Sequence, residues 1–214
     1  MSIKTIYDQL RAVGMTAEGA CGLMGNMMAE SSMKADIAQR DMTALTDRQY
    51  TATADAGTID FAHDAVGYGL CQWTFHSRKA KLIAFARARG VSVGDEDMQV
   101  QFCVKELRED FPGVWAVLTG SHDLYECARI VCLQYERPAV NNVDVRYRFA
   151  QDFFRAAGPD PQPPPSPERG DPIVRVLQTC MAYDGYWPAD QIDGIKTPAY
   201  REAIVKYAAD VAGC

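Results

Sequence analysis

Apolar residues between positions 15 and 33 recur every three to four places, the spacing of a helix with one core-facing side. Thr16 is a favourable N-cap for this helix, and Glu18 in its first turn suits the helix dipole. A shorter run of the same kind precedes it, starting after Ser2 and ending at Gly14. The N-terminal region therefore predicts two helices, and the second has an apolar face formed by Ala20, Leu23, Met24, Met27 and Met28.

Glu30 lies on that same apolar face, close to the point where Ser31 and Ser32 favour a turn. A carboxyl group at the core-facing end of a helix is partly desolvated, which favours its protonated form and suits it to donating a proton. A last-turn glutamate that simply extends into water is the alternative interpretation. Glu30 is therefore the first candidate for chemistry in this chain.

Less regular sequence follows, and it contains two segments with turn signals. Threonine-rich flanks around Asp55-Ala56-Gly57 predict a short β-hairpin within residues 50–61. Next comes Gly67-Tyr68-Gly69-Leu70-Cys71-Gln72-Trp73-Thr74, whose glycines permit a close-packed backbone. Its tyrosine, glutamine and tryptophan could stack on or hydrogen-bond a sugar, or its aromatic rings could fill the core.

The segment from residue 77 to residue 158 has the pattern of consecutive helices. We expect one from Ser77 to Arg89, one that ends at Phe111, and a short one over 114–119. Ser121 is the expected cap of the next, which stops before Pro138, and Gly158 should end the last. The inward residues of these helices are predicted to include Leu82, Phe85, Val100, Cys103, Val104, Leu107, Leu124, Cys127, Val131, Tyr135, Val143, Tyr147, Ala150 and Phe154. The basic cluster Arg78, Lys79 and Lys81 is expected to form a solvated helix face.

Six prolines between residues 158 and 170 mark a domain boundary, because so proline-rich a segment forms a semi-rigid polyproline spacer. The predicted organisation is a catalytic domain over 1–157, a linker over 158–170 and a small domain over 171–214. The small domain has too little surface to bury for multistep chemistry, and on a stiff tether it is typical of a targeting module.

Composition narrows the function classes. The chain is 48% hydrophobic and 23% charged, which is enough for a sizeable core, and its net charge of −6 argues against nucleic acid as the main partner. No apolar run is long enough for membrane insertion, and the N-terminus shows no secretory signal. Seven scattered cysteines without a CxxC pair, together with three histidines, indicate neither a disulfide framework nor a metal site. We therefore expect no metal and no cofactor.

Several motifs together carry a resemblance to a known family. In chain order they are Gly22–Ser31, Tyr50-Thr51, Asp55–Gly57, Phe61–Asp64, Gly67–Thr74, Ser77–Lys79, Gly94-Asp95 and Tyr135–Pro138, and the similarity extends to Tyr147. This stretch resembles the phage tail lysozyme family of the lysozyme-like superfamily. Residues 171–214, with Val176-Leu177-Gln178 and Ile192-Asp193-Gly194, are similar to peptidoglycan-binding-like three-helix domains, although Lys196-Thr197-Pro198 replaces the usual glycine.

The resemblance implies a mainly α fold, an α+β lysozyme-like catalytic domain with a small β-hairpin, followed by a three-helix domain. It also implies cleavage of bacterial peptidoglycan between N-acetylmuramic acid and N-acetylglucosamine, with Glu30 as the general acid. A second carboxylate is expected to activate water or to stabilise the positively charged transition state. For this role we favour Asp64, with Asp55 as the alternate and Asp60 as a further candidate. The expected substrate contacts are Gln72, Trp73, Tyr68 and Tyr50, and the expected cell-wall contacts of the small domain are Tyr186, Trp187 and Asp193.

A catalytic domain, a proline linker and a wall-binding module form the layout of a phage endolysin. Such an enzyme is made in the host cytoplasm without a signal peptide and reaches the cell wall after holin-mediated release. Two other classes remain open: a lytic transglycosylase that needs only Glu30, and a non-catalytic protein that binds the cell wall.

Overall fold

The computed structural model describes residues 3–158, 177–178, 181, 185 and 198–212. The chain divides into two compact units, Met1–Pro159 and Asp160–Cys214. The described part of the first unit is mainly helical, as the sequence predicts. Its elements are α1 (Ile3–Ala12), α2 (Ala17–Ser31), α3 (Asp47–Ala56), α4 (His76–Arg89), α5 (Glu96–Asp110), α6 (Pro112–Gly120), α7 (Leu124–Ile130), a π-helical segment (Val131–Glu136) and α8 (Val143–Ala157).

Helix α2 is the centre of this unit, with α1, α6, α7, α8 and the π-helical segment against it. Thr16 caps it as predicted, accepting a hydrogen bond from the backbone N–H of Gly19. Two of its glycines allow the neighbours to approach closely. A Cβ on Gly22 would lie 2.7 Å from Cβ of Cys127, and one on Gly25 would lie 2.5 Å from the carbonyl oxygen of Arg146. These close contacts fix α7 and α8 beside the helix whose last turn carries Glu30.

The hairpin predicted for residues 50–61 is wrong, because α3 occupies most of that segment. Thr46 and Gln49 form a capping box that starts this helix, and Gly57 ends it in the left-handed conformation, with φ 69°. The threonines that favoured a strand instead bond within the helix, where the hydroxyl of Thr51 donates to the carbonyl of Asp47. Among the described residues, strand-like pairing occurs only as isolated bridges, Ala38 with Tyr68 and Tyr68 with Trp73.

The helices after α3 follow the predicted order, with differences at the ends of α7. Its N-cap is Asp123 and not Ser121 as predicted. The carboxylate of Asp123 accepts a hydrogen bond from the N–H of Glu126. Ser121 instead follows α6 as its C-cap. After Ile130 the chain widens into the π-helical segment, a conformation often found at functional sites.

The loop over residues 67–74 is fixed to the end of α2. The hydroxyl of Ser31 donates to the carbonyl of Leu70 at 3.0 Å, and the N–H of Leu70 donates to Oε1 of Gln99 at 2.9 Å. The N–H of Gly69 donates to the carbonyl of Ile37 at 2.9 Å. Because Ser31 is the last residue of α2, these bonds hold the loop beside the turn that carries Glu30.

In the second unit the structure describes α9 (Pro198–Ala212) and four residues before it. Met181 and Tyr200 are buried there, with Leu177, Ile204 and Tyr207 packed against them. These residues form a small apolar cluster of their own within the second unit. The predicted cell-wall contacts Tyr186, Trp187 and Asp193 lie outside the described residues. In the part of the chain that is described, none of the helices has the length and apolar character required to cross a membrane.

Candidate active site

Glu30 sits in the last turn of α2 with its side chain 18% exposed. Its Oε1 accepts a hydrogen bond from Nη2 of Arg146 at 2.6 Å. Its Oε2 has no hydrogen-bond partner among the described residues. One carboxylate oxygen is thus fixed by the protein, while the other remains available to a ligand.

Arg146 comes from α8 and is itself clamped. Its side chain is 6% exposed, and its Nη1 donates to Oδ1 of Asn26 at 3.1 Å. Asn26 is buried and donates to the carbonyls of Gly22 and Ala128. This chain of hydrogen bonds joins three helices and orients the guanidinium toward Glu30, in a planar geometry suited to carboxylates.

The sequence interpretation missed Arg146, although the pattern held a signal. Arg146 is four residues before Ala150 and three after Val143, on the predicted apolar face of α8. A charged residue on such a face is either a defect or the partner of a buried opposite charge. Glu30, the one carboxylate already placed on a core-facing stripe, was the available partner.

Glu136 is a second missed residue, and it ends the π-helical segment. Its Oε1 is buried and has no hydrogen-bond partner in the described part of the chain. Desolvation raises the pKa of Glu136 well above its usual value, and the negative charge of Glu30 adds to the shift, whereas Arg78 and Arg146 oppose it. Glu136 therefore favours the protonated form close to the charge of Glu30.

Asp64, the favoured second carboxylate, is instead saturated with donors. Its Oδ2 accepts from the hydroxyl of Tyr50 at 2.5 Å, and its Oδ1 accepts from the N–H of Val66 at 3.0 Å and from Nζ of Lys79. None of its contacts among the described residues is with Glu30. Its position is that of a counterion to Lys79.

The predicted solvated basic face on α4 is wrong for Lys79, which is buried. Its side chain is 0% exposed, and burial lowers its pKa although Asp64 opposes the shift. Arg78 beside it is also turned inward, where it forms an ion pair with Glu106 at 2.7 Å. Lys81 alone of the cluster lies on the surface, paired with Asp110. The basic run is therefore largely internal because two acidic partners compensate it.

The other candidate acids also have partners away from Glu30. Asp55 lies in α3 rather than in a turn, and it accepts hydrogen bonds from the hydroxyl of Ser92 at 2.6 Å and the N–H of Val93 at 2.8 Å. Asp60 is exposed and pairs with Nδ1 of His63 at 2.9 Å, which lowers the pKa of its carboxyl. Asp55 therefore ties the loop before α5 to α3, and Asp60 lies on the surface.

Three of the four predicted substrate contacts are core residues. Tyr50, Tyr68 and Trp73 are 2%, 0% and 0% exposed, so their rings cannot stack on a sugar in this conformation. The indole N–H of Trp73 donates to Glu106, and the hydroxyl groups of the two tyrosines are also hydrogen-bonded. The other interpretation given from the sequence, that these aromatic rings fill the core, is therefore the correct one. Gln72 differs, since it is only half-buried.

Metal and thiol chemistry receive no support from the described residues. The structure shows five buried free cysteines, at positions 21, 71, 103, 127 and 132. The described part of the chain contains no group of three or more His, Cys, Asp or Glu side chains placed to hold a metal ion. The arrangement suits proton transfer by a carboxyl group with one open oxygen, beside an arginine and a second carboxyl group whose pKa burial raises.

The comparison with known protein families identifies a family for most of the chain. The model of the phage tail lysozyme family matches residues 2–156 of the 214, a stretch that includes Glu30, Glu136 and Arg146. The family is one of lysozyme-like enzymes that degrade the cell wall, with peptidoglycan as substrate. The match spans most of the chain, and the chain belongs to the phage tail lysozyme family.

Proposed function

We propose that the protein hydrolyses the glycosidic bond between N-acetylmuramic acid and N-acetylglucosamine of peptidoglycan, with Glu30 as the general acid. The observation that carries this proposal is the state of the Glu30 carboxyl group. Arg146 fixes one of its oxygens, and the other has no partner among the described residues. A proton donor must be held rigidly and still reach the leaving group, and this arrangement meets both needs.

In the proposed reaction the Glu30 carboxyl group gives its proton to the glycosidic oxygen as the bond from that oxygen to the anomeric carbon breaks. Positive charge then develops on the sugar ring, and water adds to the anomeric carbon with loss of a proton, which restores the Glu30 carboxylate to its acid form. Arg146 keeps the Glu30 side chain in one orientation through the cycle. It also stabilises the carboxylate that remains after proton donation.

The saturated carboxylates favour a second candidate function. Asp64 and Asp55 were the proposed second carboxylates, and their hydrogen bonds support roles in holding the scaffold. A lytic transglycosylase needs only one glutamate, because the 6-hydroxyl of the substrate attacks the anomeric carbon and closes an anhydro ring. Lytic transglycosylase is accordingly the alternative activity.

Mass spectrometry of purified peptidoglycan after digestion tests these proposals together. Reducing N-acetylmuramic acid ends are expected for the hydrolase, and 1,6-anhydro ends would establish the transglycosylase. If the strands stay intact after prolonged incubation with folded protein, the protein is not an enzyme for this bond, and the alternative that it only binds the cell wall applies. The Glu30→Gln variant, which lacks the proposed general acid, is the negative control for the digestion.

We further propose that the second unit targets the enzyme to the cell wall, with Tyr186, Trp187 and Asp193 as contacts, and that the protein acts as an endolysin after holin-mediated release. Because the two units are separately compact, a chain ending at Gly158 should still cleave soluble muropeptide oligomers. It should lose activity mainly on intact sacculi, where local concentration matters. Equal losses on both substrates would mean that the second unit helps to form the active site.

A further inference from the structure

Three exposed aromatic rings form a row at the start of α4. Phe75 stacks on His76 with ring centroids 6.0 Å apart and an interplanar angle of 29°. His76 stacks in turn on His63 at 5.8 Å and 15°. Asp60 accepts a hydrogen bond from the ring of His63 and fixes its orientation. We call Phe75, His76 and His63 the aromatic row.

Phe75 is not explained by the local structure. It is 70% exposed, the largest value among the exposed large hydrophobic residues of the described chain. It occupies the N-cap position of α4, where Ser, Thr, Asp or Asn would accept a hydrogen bond from the helix, and it makes no such bond. The ring of Phe75 is thus left in water at a position where a polar residue would cap the helix, and it is accessible to a ligand.

Two series of contacts connect the segment that carries the aromatic row to the segments around Glu30. Phe75 directly follows the loop over residues 67–74, which Ser31 holds to the end of α2 through Leu70. One turn into α4, Nη1 of Arg78 donates to the carbonyl of Tyr135 at 3.3 Å. Tyr135 precedes Glu136, whose carboxyl group is close enough to Glu30 to respond to its charge. The start of α4 is therefore tied both to the end of α2 and to the π-helical segment, the two elements that carry Glu30 and Glu136.

We propose that the aromatic row is a binding subsite that stacks against a sugar ring of the glycan strand. The proposal deepens the proposed function and rests on it for the identity of the polymer. The faces of pyranose rings carry C–H groups that pack against aromatic rings, and sugar hydroxyl groups can donate to the carboxylate of Asp60, which is exposed beside His63. The ligand class is an N-acetylated amino sugar of the strand.

Phe75→Ser is the decisive variant, because serine is a preferred N-cap and the substitution should leave α4 at least as stable. The assay is calorimetric titration of muropeptide oligomers into the full chain carrying Glu30→Gln, which prevents turnover. We expect Phe75→Ser to raise Kd roughly tenfold, as for the loss of one stacking ring, while Tm does not fall. Tyr125→Ser on α7, another exposed aromatic, is the control and should leave Kd unchanged.

An unchanged Kd for Phe75→Ser would overturn the subsite. So would a Kd that changes equally in the Tyr125→Ser control. If Phe75→Ser leaves Kd unchanged but alters the oligomeric state measured by light scattering, the aromatic row joins copies of the chain and the proposal is wrong. Failure of the proposed function is distinguishable, because it would appear as intact peptidoglycan in the mass-spectrometric assay while the binding difference between the two serine variants persisted.

Discussion

Two carboxylate–cation pairs in the first unit look alike and are satisfied very differently. Glu30 pairs with Arg146 and Asp64 pairs with Lys79, and the two carboxylates are similarly exposed, at 18% and 22%. In each pair the cation is almost fully buried. Exposure and pairing alone would therefore give both acids the same role.

The difference lies in the number of donors that each carboxylate receives. Both oxygens of Asp64 are occupied, by Tyr50, Val66 and Lys79, whereas Glu30 has one recorded donor, on one oxygen. A saturated carboxylate stabilises the fold and has no site left for a reacting group. The comparison teaches that an open oxygen, rather than burial or an ion pair, separates the proposed catalytic acid from the structural one.

Asp64→Asn should produce the largest change in stability. It leaves Lys79 fully buried without its counterion, and breaking such a pair costs about 3 kcal/mol of unfolding free energy. Urea titration measures this loss, and activity per folded molecule should stay within a few-fold of wild type.

Asp110→Asn is the matched control, because Asp110 also pairs with a lysine of α4, Lys81, but on the surface. It should change stability very little. The comparison would break if Asp64→Asn left stability intact and abolished activity, since Asp64 would then act in catalysis.

Arg146→Lys tests the clamp on Glu30. One ammonium group cannot reproduce the geometry in which separate nitrogens of a planar guanidinium bond Asn26 and Glu30. Loss of one charge-assisted hydrogen bond, about 1.4 kcal/mol, should lower kcat roughly tenfold. A kcat that is unchanged in steady-state assays on muropeptide oligomers would show that Arg146 does not position Glu30.

Glu136→Gln should give a smaller effect that depends on pH. Because burial raises the pKa of Glu136 in the folded state, its protonated form contributes stability that is complete below the usual pKa of 4.5 and is lost as the pH rises through the folded value. Glutamine stays neutral throughout. The Tm of the variant relative to wild type should therefore increase from pH 4 to pH 8 in calorimetric scans, and a difference that does not vary with pH would contradict the assignment.

The sequence predicted those features that depend on neighbours along the chain. Helix α2, its cap Thr16 and the placement of Glu30 near its end follow from residues within a few turns of one another. The hairpin was wrong because the capping box of Thr46 and Gln49, also local, was overlooked in favour of the β-propensity of threonine.

The features that define the site depend on residues far apart along the chain. Arg146 and Glu30 are 116 positions apart, and no local pattern joins them. Lys79 can be buried because Asp64, Tyr50 and the carbonyl of Val66, all on other segments, accept hydrogen bonds from its ammonium group. Likewise, Tyr68 and Trp73 near Gln72 are residue types that often bind sugars, but tertiary packing buries both of them in the core.

The most direct test of the account is the rate at which Glu30→Gln releases new glycan ends from purified peptidoglycan, at equal concentrations of folded protein. Glutamine keeps the shape of the side chain and can still accept a hydrogen bond from Arg146, but it removes the counterion of a nearly buried guanidinium, so Tm should fall and the rate is compared per folded molecule. It has no proton to give, and the rate should fall at least about 100-fold, as for loss of a general acid. A rate near that of wild type, from a variant shown to be folded, would contradict the assignment of Glu30.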